Sequence, residues 1–325
     1  MKTIVCQSLD GPDGLAVVEA ESPEPGPGEI KVRLEAWGVT FVDLLMSQGL
    51  YQHRPDPPFI PGMEAAGEIV ALGDGVESPV VGTRVMTRHG PGAYAEEAAI
   101  PAEHAIPIPD AMGWEAAAGF RSAFTTGYHA LVDGGRLQAG EWALIHGAAG
   151  GVGHAAVQVA KALGATVIGT ASSAEKRQAV LAMGADHVLD YQGGFRDQVK
   201  ALTDGRGADV VFDPIGGDVF DESMRSLNME ARVVVVGFTS GRFPEARVNH
   251  ILIKCASVVG VRVGEFNRRH PDRAAAELEV LLGCARDGRV ETHISHRLAL
   301  EKAAHAMRAI EDRQVIGRVV LSREA

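Results

Sequence analysis

An apolar run, Ala143-Leu144-Ile145, passes through His146 into Gly147-Ala148-Ala149-Gly150-Gly151-Val152-Gly153. Such a run obliges a strand to stop, turn sharply and start a helix whose first N–H groups have no partner within the helix. Val152, Ala155, Ala156, Val159, Ala160 and Leu163 recur at helical spacing, so a helix is predicted to follow the turn. Unpaired N–H groups and the positive end of the helix dipole suit an anionic pyrophosphate, and glycines let its oxygens approach the backbone. The GxGxxG pattern departs at its first place, where Ala148 stands, and keeps Gly150 and Gly153. Taken alone the trio would also fit a structural glycine-rich turn, so its surroundings carry the assignment.

Those surroundings alternate. Strand-length apolar runs at 142–146, 166–169, 187–189, 209–212, 232–236 and 257–261 are separated by helix-period segments at 151–163, 174–183, 195–203, 219–227 and 249–254. The rhythm predicts a doubly wound, six-stranded parallel sheet, a Rossmann domain of the α/β class. Residues 1 to about 120 are broken by Gly and Pro and hold candidate strands at 30–36, 66–72 and 84–87, the pattern of a compact, mostly β domain. Beyond residue 264 two helical segments, 273–287 and 300–312, precede a final strand at 317–321. They are too short for a third domain and are expected to rejoin the first.

A length of 325 residues accommodates two domains. With 42 acidic against 31 basic residues and no Lys/Arg run, the chain offers no phosphate-neutralising stripe, which excludes nucleic acid and anionic membrane surfaces as main partners. The opening residues lack an apolar signal core, and no long uncharged apolar stretch follows, so a cytoplasmic protein is expected. Cys6, Cys255 and Cys284 form neither a CxxC nor a Cys/His cluster, and suit a reducing compartment.

The end of the second strand indicates the cofactor. An NAD site places Asp or Glu there for the ribose 2′-hydroxyl. This chain has Ala171, then Ser172 and Ser173, then Lys176 and Arg177, a set able to hydrogen-bond and neutralise a 2′-phosphate, which favours NADPH. The serines also suit a helix cap, with both bases on a solvated face; the two roles are compatible.

With these residues in place, the sequence resembles the medium-chain dehydrogenase/reductase superfamily, and within it the zinc-free NADPH:quinone oxidoreductases related to zeta-crystallin. The resemblance rests on Gly38-Val39-Thr40-Phe41-Val42-Asp43, Gln48-Gly49-Leu50-Tyr51, Pro61-Gly62-Met63-Glu64-Ala65-Ala66-Gly67, Gly92-Ala93-Tyr94-Ala95-Glu96, residues 148–153 and Gly317-Arg318-Val319-Val320-Leu321. It implies a GroES-like catalytic domain at 1–122, completed by 265–325, around a Rossmann domain at 123–264. Zinc dehydrogenases of the superfamily carry Cys where this chain has Thr40 and His where it has Met63, so a metal-free site is implied. The resemblance assigns Thr126 to the nicotinamide region, Gly150, Gly151, Val152 and Gly153 to the pyrophosphate, and Ser172, Ser173, Lys176 and Tyr191 to the 2′-phosphate. Gly237, Phe238, Thr239 and Ser240 would meet the nicotinamide ribose or carboxamide, Val261 and Val263 would end the sixth strand beside the ring, and Arg313 would reach the phosphates. It also implies a homodimer joined along the edge strand at 257–261.

A hydride site without metal lacks a Lewis acid for an isolated ketone, whereas a quinone or an α,β-unsaturated carbonyl spreads the developing charge. Tyr51 and Thr40 are the candidate hydrogen-bond donors to the acceptor, with cleft wall and helix cap as their structural alternatives. Asp43 and Glu64 are read as orienting and packing carboxylates. The expected activity is NADPH:quinone reduction. The alternatives are an enoyl, alkenal or enoyl-thioester reductase, and a low-turnover NADPH-binding protein.

Overall fold

The computed structural model describes residues 1–88 and 90–325 and divides into two compact units, residues 1–121 with 292–325 and residues 122–291. The chain returns to the first unit at Thr292, not at the expected residue 265. The cause lies in the helix Pro271–Arg286, which buries Leu278, Leu281, Leu282 and Cys284 and sets Glu277 against His129, all within the second unit.

The first unit is GroES-like and mostly β, as expected. The strand Glu29–Val39 is its spine, paired antiparallel with Glu64–Leu72, Glu97–Pro101 and Arg318–Ser322. Ile30, Val32, Leu34 and Ala36 are fully buried while the intervening Glu29, Lys31, Arg33 and Glu35 are half-buried, the period-two pattern of a sheet with one inward face. Trp37 joins this core and donates its Nε1–H to the Ala95 carbonyl at 3.0 Å. Burial of so large a side chain is tolerated because its one polar hydrogen is satisfied.

The second unit holds a six-stranded parallel sheet. In chain order its strands are Trp142–Ile145, Thr166–Thr170, His187–Leu189, Ala208–Asp213, Leu227–Val235 and Ser257–Gly260. In space they run third, second, first, fourth, fifth, sixth, so the order reverses beside the first strand, where doubly wound sheets bind ligands. Two boundaries differ from expectation. The fifth strand begins at Leu227 rather than near Arg232, because its register with the fourth shifts between Ala208 and Val210 and skips residues 228–231. Pairing of the sixth strand ends at Gly260, and Val263 opens the helix Val263–Arg269 instead of closing that strand.

The helix Gly151–Ala162 buries more than the predicted stripe: every residue from Gly153 to Ala160 is buried. The second buried face comes from a segment distant in sequence. Gln158 donates Nε2–H to the Glu291 carbonyl at 2.9 Å and accepts the Glu291 N–H at 2.7 Å.

Candidate functional site

The glycine cluster forms the turn that its composition requires. Gly147 adopts φ 58°, the left-handed region that a side chain disfavours, and Gly150 caps the helix from an extended conformation. The N–H groups of Gly151, Val152 and Gly153 lie in the first turn and have no intrahelical acceptor. A Cβ on Gly153 would stand 2.0 Å from the Gly147 carbonyl oxygen and 2.8 Å from Ala148 Cα, so helix and turn are in backbone contact there. Ala148 replaces the first motif glycine because room exists across the sheet: a Cβ on Gly169 would lie 3.1 Å from the Ala148 methyl and 2.7 Å from Val180 Cγ1. The missing side chain at Gly169 leaves the space that Ala148 fills, a compensation between two strands that the motif does not show.

His146 anchors this turn. Its ring is wholly buried, and burial holds it down to about 3, so it is neutral. Ser223 Oγ donates to the Val219 carbonyl at 2.7 Å and therefore accepts from His146 Nε2–H at 2.8 Å; Nδ1 then accepts from Thr170 Oγ1–H at 3.0 Å. One imidazole thus ties the end of the first strand to the end of the second and to the helix Gly217–Ser223. The neighbouring Asp213, at the end of the fourth strand, accepts the N–H groups of Ile215 and Gly216 through Oδ1 at 2.8 and 2.9 Å. Burial pushes its pKa above the ordinary carboxylate value, against the lowering effect of these two N–H groups. Neither His146 nor Asp213 stood out in the sequence, since a single polar residue ending an apolar run carries no spacing signal.

At the end of the second strand, Ala171 is buried, Ser172 half-buried and Ser173 exposed. Ser173 caps the helix Ala174–Ala182 by accepting the Lys176 N–H at 3.2 Å. Lys176 and Tyr191 are half-buried on the same rim. Arg177 pairs with Asp190 at 2.8 Å, which commits part of the charge that the sequence offered to a phosphate. No carboxylate occupies 171–174, and the first acid, Glu175, is exposed in the first helical turn. This donor set matches a 2′-phosphate better than a 2′-hydroxyl.

Other assigned residues fall on the same unit. Thr126 Oγ1 donates to the Ser122 carbonyl at 2.7 Å. Gly237, Phe238, Thr239 and Ser240 follow the fifth strand and are held over residues 213–215 by Thr239 N–H to the Pro214 carbonyl, 3.1 Å, and Ser240 N–H to the Ile215 carbonyl, 3.0 Å. Phe238 is 40% exposed and meets Phe243 edge-on. Val261 is half-buried, just past the end of the sixth strand, and donates to the Val235 carbonyl at 3.0 Å. Sequence distance hid a further cluster: His129 Nδ1 lies 2.9 Å from Asp133 and 3.2 Å from Glu277, three groups able to share a cation, while Arg273 pairs with Asp133 at 2.8 Å.

On the first unit, Thr40 and Asp43 make a reciprocal cap of the helix Phe41–Ser47. Thr40 Oγ1 accepts the Asp43 N–H at 3.2 Å and donates to Asp43 Oδ2 at 2.6 Å, so its proton is directed at the carboxylate. Oδ2 also accepts the Thr40 N–H at 2.8 Å, and Oδ1 the Gly62 N–H at 3.2 Å. Glu64 and Arg318 form a buried ion pair beside it. Tyr51 is half-buried and its carbonyl accepts Arg54 Nε at 3.1 Å. Arg313 is exposed with φ 57° beyond the helix Ala303–Glu311.

The chain is similar to known proteins along its whole length. The alcohol dehydrogenase GroES-like domain matches residues 26–110, and the zinc-binding dehydrogenase family matches residues 151–279. A quinone oxidoreductase-like protein 2 homolog of Nematostella vectensis is 34% identical, over 99% of this chain and 88% of its own length. The human synaptic vesicle membrane protein VAT-1 homolog is 35% identical over 97% of this chain and 86% of its own. Among solved structures, Escherichia coli quinone oxidoreductase complexed with NADPH superposes with a TM-score of 0.91 at 30% identity, covering 99% of this chain and all of that one. Among the described residues no helix is long and apolar enough to cross a membrane.

Proposed function

The chain belongs to the quinone oxidoreductase branch of the medium-chain dehydrogenase/reductase family, and from that premise we propose that it is an NADPH-dependent, metal-independent reductase of quinones. The observation that carries this reading is the strand–turn–helix at 142–162 joined to a second strand that ends in hydroxyls and a lysine instead of an acid.

In this reading the N–H groups of Gly151, Val152 and Gly153 hold the pyrophosphate, with Gly150 keeping the approach open. Ser172, Ser173, Lys176 and Tyr191 hold the 2′-phosphate. Thr126, Gly237, Phe238, Thr239 and Ser240 orient the nicotinamide end, and Val261 supplies an apolar wall. Bound NADPH supplies a hydride. Tyr51 and Thr40 bind the acceptor oxygen on which charge develops, and a conjugated acceptor needs no stronger electrophile. Metal independence is supported by the donor set: Thr40 is engaged with Asp43, and Met63 offers a thioether where zinc relatives carry imidazole.

Two further parts of the reading concern setting. The strand Ser257–Gly260 is an edge of its sheet, and pairing with a second copy would cover it, which supports a homodimer. Three scattered cysteines with neither a CxxC nor a Cys/His cluster suit a reducing compartment, which supports a cytoplasmic protein. The test follows NADPH and NADH absorbance on chelator-treated protein with benzoquinone, phenanthrenequinone, an enone and a crotonyl thioester. Faster turnover with NADPH and quinones is expected. Preference for the enone or thioester, or loss of activity on chelation, overturns the assignment.

A further inference from the structure

We propose that Thr40 and Asp43 form a two-step proton relay, in which Thr40 delivers a proton to the reduced acceptor and Asp43 replaces it. The proposal rests on the quinone reductase reading and supplies a step that reading leaves open, since a quinone that has accepted a hydride carries a negative oxygen and still requires a proton.

The geometry starts from Asp43, which is 1% exposed, among the most deeply enclosed carboxylates of the described residues. Its hydrogen-bond partners are the Thr40 hydroxyl and the Thr40 and Gly62 N–H groups. The nearby Tyr94 is fully buried and donates its hydroxyl to the Gly38 carbonyl at 3.2 Å, whereas Thr40 keeps 7% of its surface. Any proton leaving Asp43 toward an acceptor therefore has Thr40 Oγ1, 2.6 Å away, as its nearest carrier. A helix cap alone needs one bond from Thr40 to a backbone N–H; here the hydroxyl also faces the carboxylate oxygen at a distance suited to proton exchange.

Charged groups converge on the pair from other elements. Glu64, on the strand Glu64–Leu72, repels a charge on Asp43; Arg318, on the strand Arg318–Ser322, attracts it; Tyr94, on the loop before Glu97–Pro101, is itself pushed well up by burial. Glu64 and Arg318 pair with each other, so they largely cancel at Asp43. Burial then dominates and pushes Asp43 up to about 6, against the lowering effect of its bonds to Thr40. A carboxyl in this range both holds and releases protons near neutrality.

The step balances as follows. With Asp43 protonated, its O–H donates to Thr40 Oγ1 and turns the Thr40 proton outward. The Thr40 O–H bond breaks as an O–H bond forms on the anionic acceptor oxygen, and the Asp43 O–H bond breaks as the Thr40 O–H bond reforms. One proton is transferred in all, Asp43 is left as carboxylate, and solvent returns its proton through Thr40, the more exposed of the two, once product has left. Thr40 is the catalytic residue and Asp43 acts through it.

The experiment compares wild type, Thr40→Ser and Thr40→Ala, with Asp43→Asn as a further variant where it folds. Turnover with NADPH and a quinone is followed against pH in H2O and D2O, and protonation of the Asp43 carboxyl is read by infrared difference spectroscopy on the protein without cofactor. Wild-type and Thr40→Ser turnover should fall above about pH 6, with a solvent isotope effect. Thr40→Ala should lose roughly 100-fold in kcat together with the pH limb, and its carboxyl band should titrate at higher pH because a hydrogen bond to the carboxylate is gone. A Thr40→Ala enzyme with wild-type kcat and pH profile, or a carboxyl that does not titrate between about pH 5 and 8, overturns the relay alone. Absence of wild-type turnover with every acceptor overturns the functional reading, and the relay with it.

Discussion

Adding one methyl group at Gly153 should abolish the phosphate site. In Gly153→Ala the new Cβ would lie 2.0 Å from the Gly147 carbonyl oxygen. Ordinary carbon–oxygen contacts begin at about 3.3 Å, so helix and turn must separate by roughly 1.3 Å. Both sides are backbone, and Gly147 is fixed in turn: its carbonyl accepts the Gly150 N–H at 2.8 Å, and the following Ala148 N–H bonds the Thr170 carbonyl at 3.1 Å. No side chain can rotate away, so the cost falls at the top of the overpacking range, about 3 kcal/mol. If that strain is relieved by displacing the helix N-terminus, the N–H groups that meet the pyrophosphate move with it, and the same energy appears as a loss of about 100-fold in NADPH affinity. Gly150→Ala is the control for folding: its Cβ meets only the Gly147 oxygen, at 3.2 Å, from an extended backbone, and should cost under about 1 kcal/mol of stability. NADPH fluorescence titration and urea unfolding measure both quantities. Gly153→Ala protein that binds NADPH within about two-fold of wild type, at unchanged stability, would refute the reasoning.

Further outcomes follow from single residues. His146 is held below its unfolded value of 6.5, so its contribution is present above that pH and is lost on acidification toward 3; the stability gap between wild type and His146→Asn should narrow by about 2 kcal/mol between pH 6.5 and 4.5 in urea unfolding. Asp43 runs the opposite way, its raised pKa removing stability as pH rises from 3.8 to about 6, which is why the paired comparison is needed. Ser172→Asp should repel a 2′-phosphate and accept a 2′-hydroxyl, and Lys176→Ala should weaken NADPH about ten-fold while leaving NADH unchanged, both read by binding titration. Arg318→Met removes one half of a buried ion pair and should cost about 3–5 kcal/mol, measured by denaturation.

Legibility in the sequence followed range. The alternation of strands and helices in the second unit, the turn at 147–153 and the absence of an acid after the second strand are local patterns and reappear, with the fifth strand starting early at Leu227 and the preceding helix ending at Ser223, because periodicity and missing side chains act over a few residues. The helix cap at Thr40 was among the sequence alternatives for the same reason. What stayed hidden depends on residues brought together from afar. Arg177 is drawn to Asp190, thirteen positions on, and Gln158 clasps Glu291. The helix Pro271–Arg286 remains in the second unit because Glu277 meets His129 across 148 positions. No spacing rule relates such pairs, since sheet order and crossover connections determine which ends meet.

The sequence by itself determined the alternation of strand and helix, the position of the glycine turn and the hydroxyls and bases that follow the second strand. Only the tertiary structure decided that Ala148 fits because Gly169 is bare, that His146 is a neutral brace, and that Asp43 is enclosed with Thr40 as its most exposed side-chain partner. Backbone preference is written in neighbours, whereas the protonation of a buried group is set by everything that surrounds it.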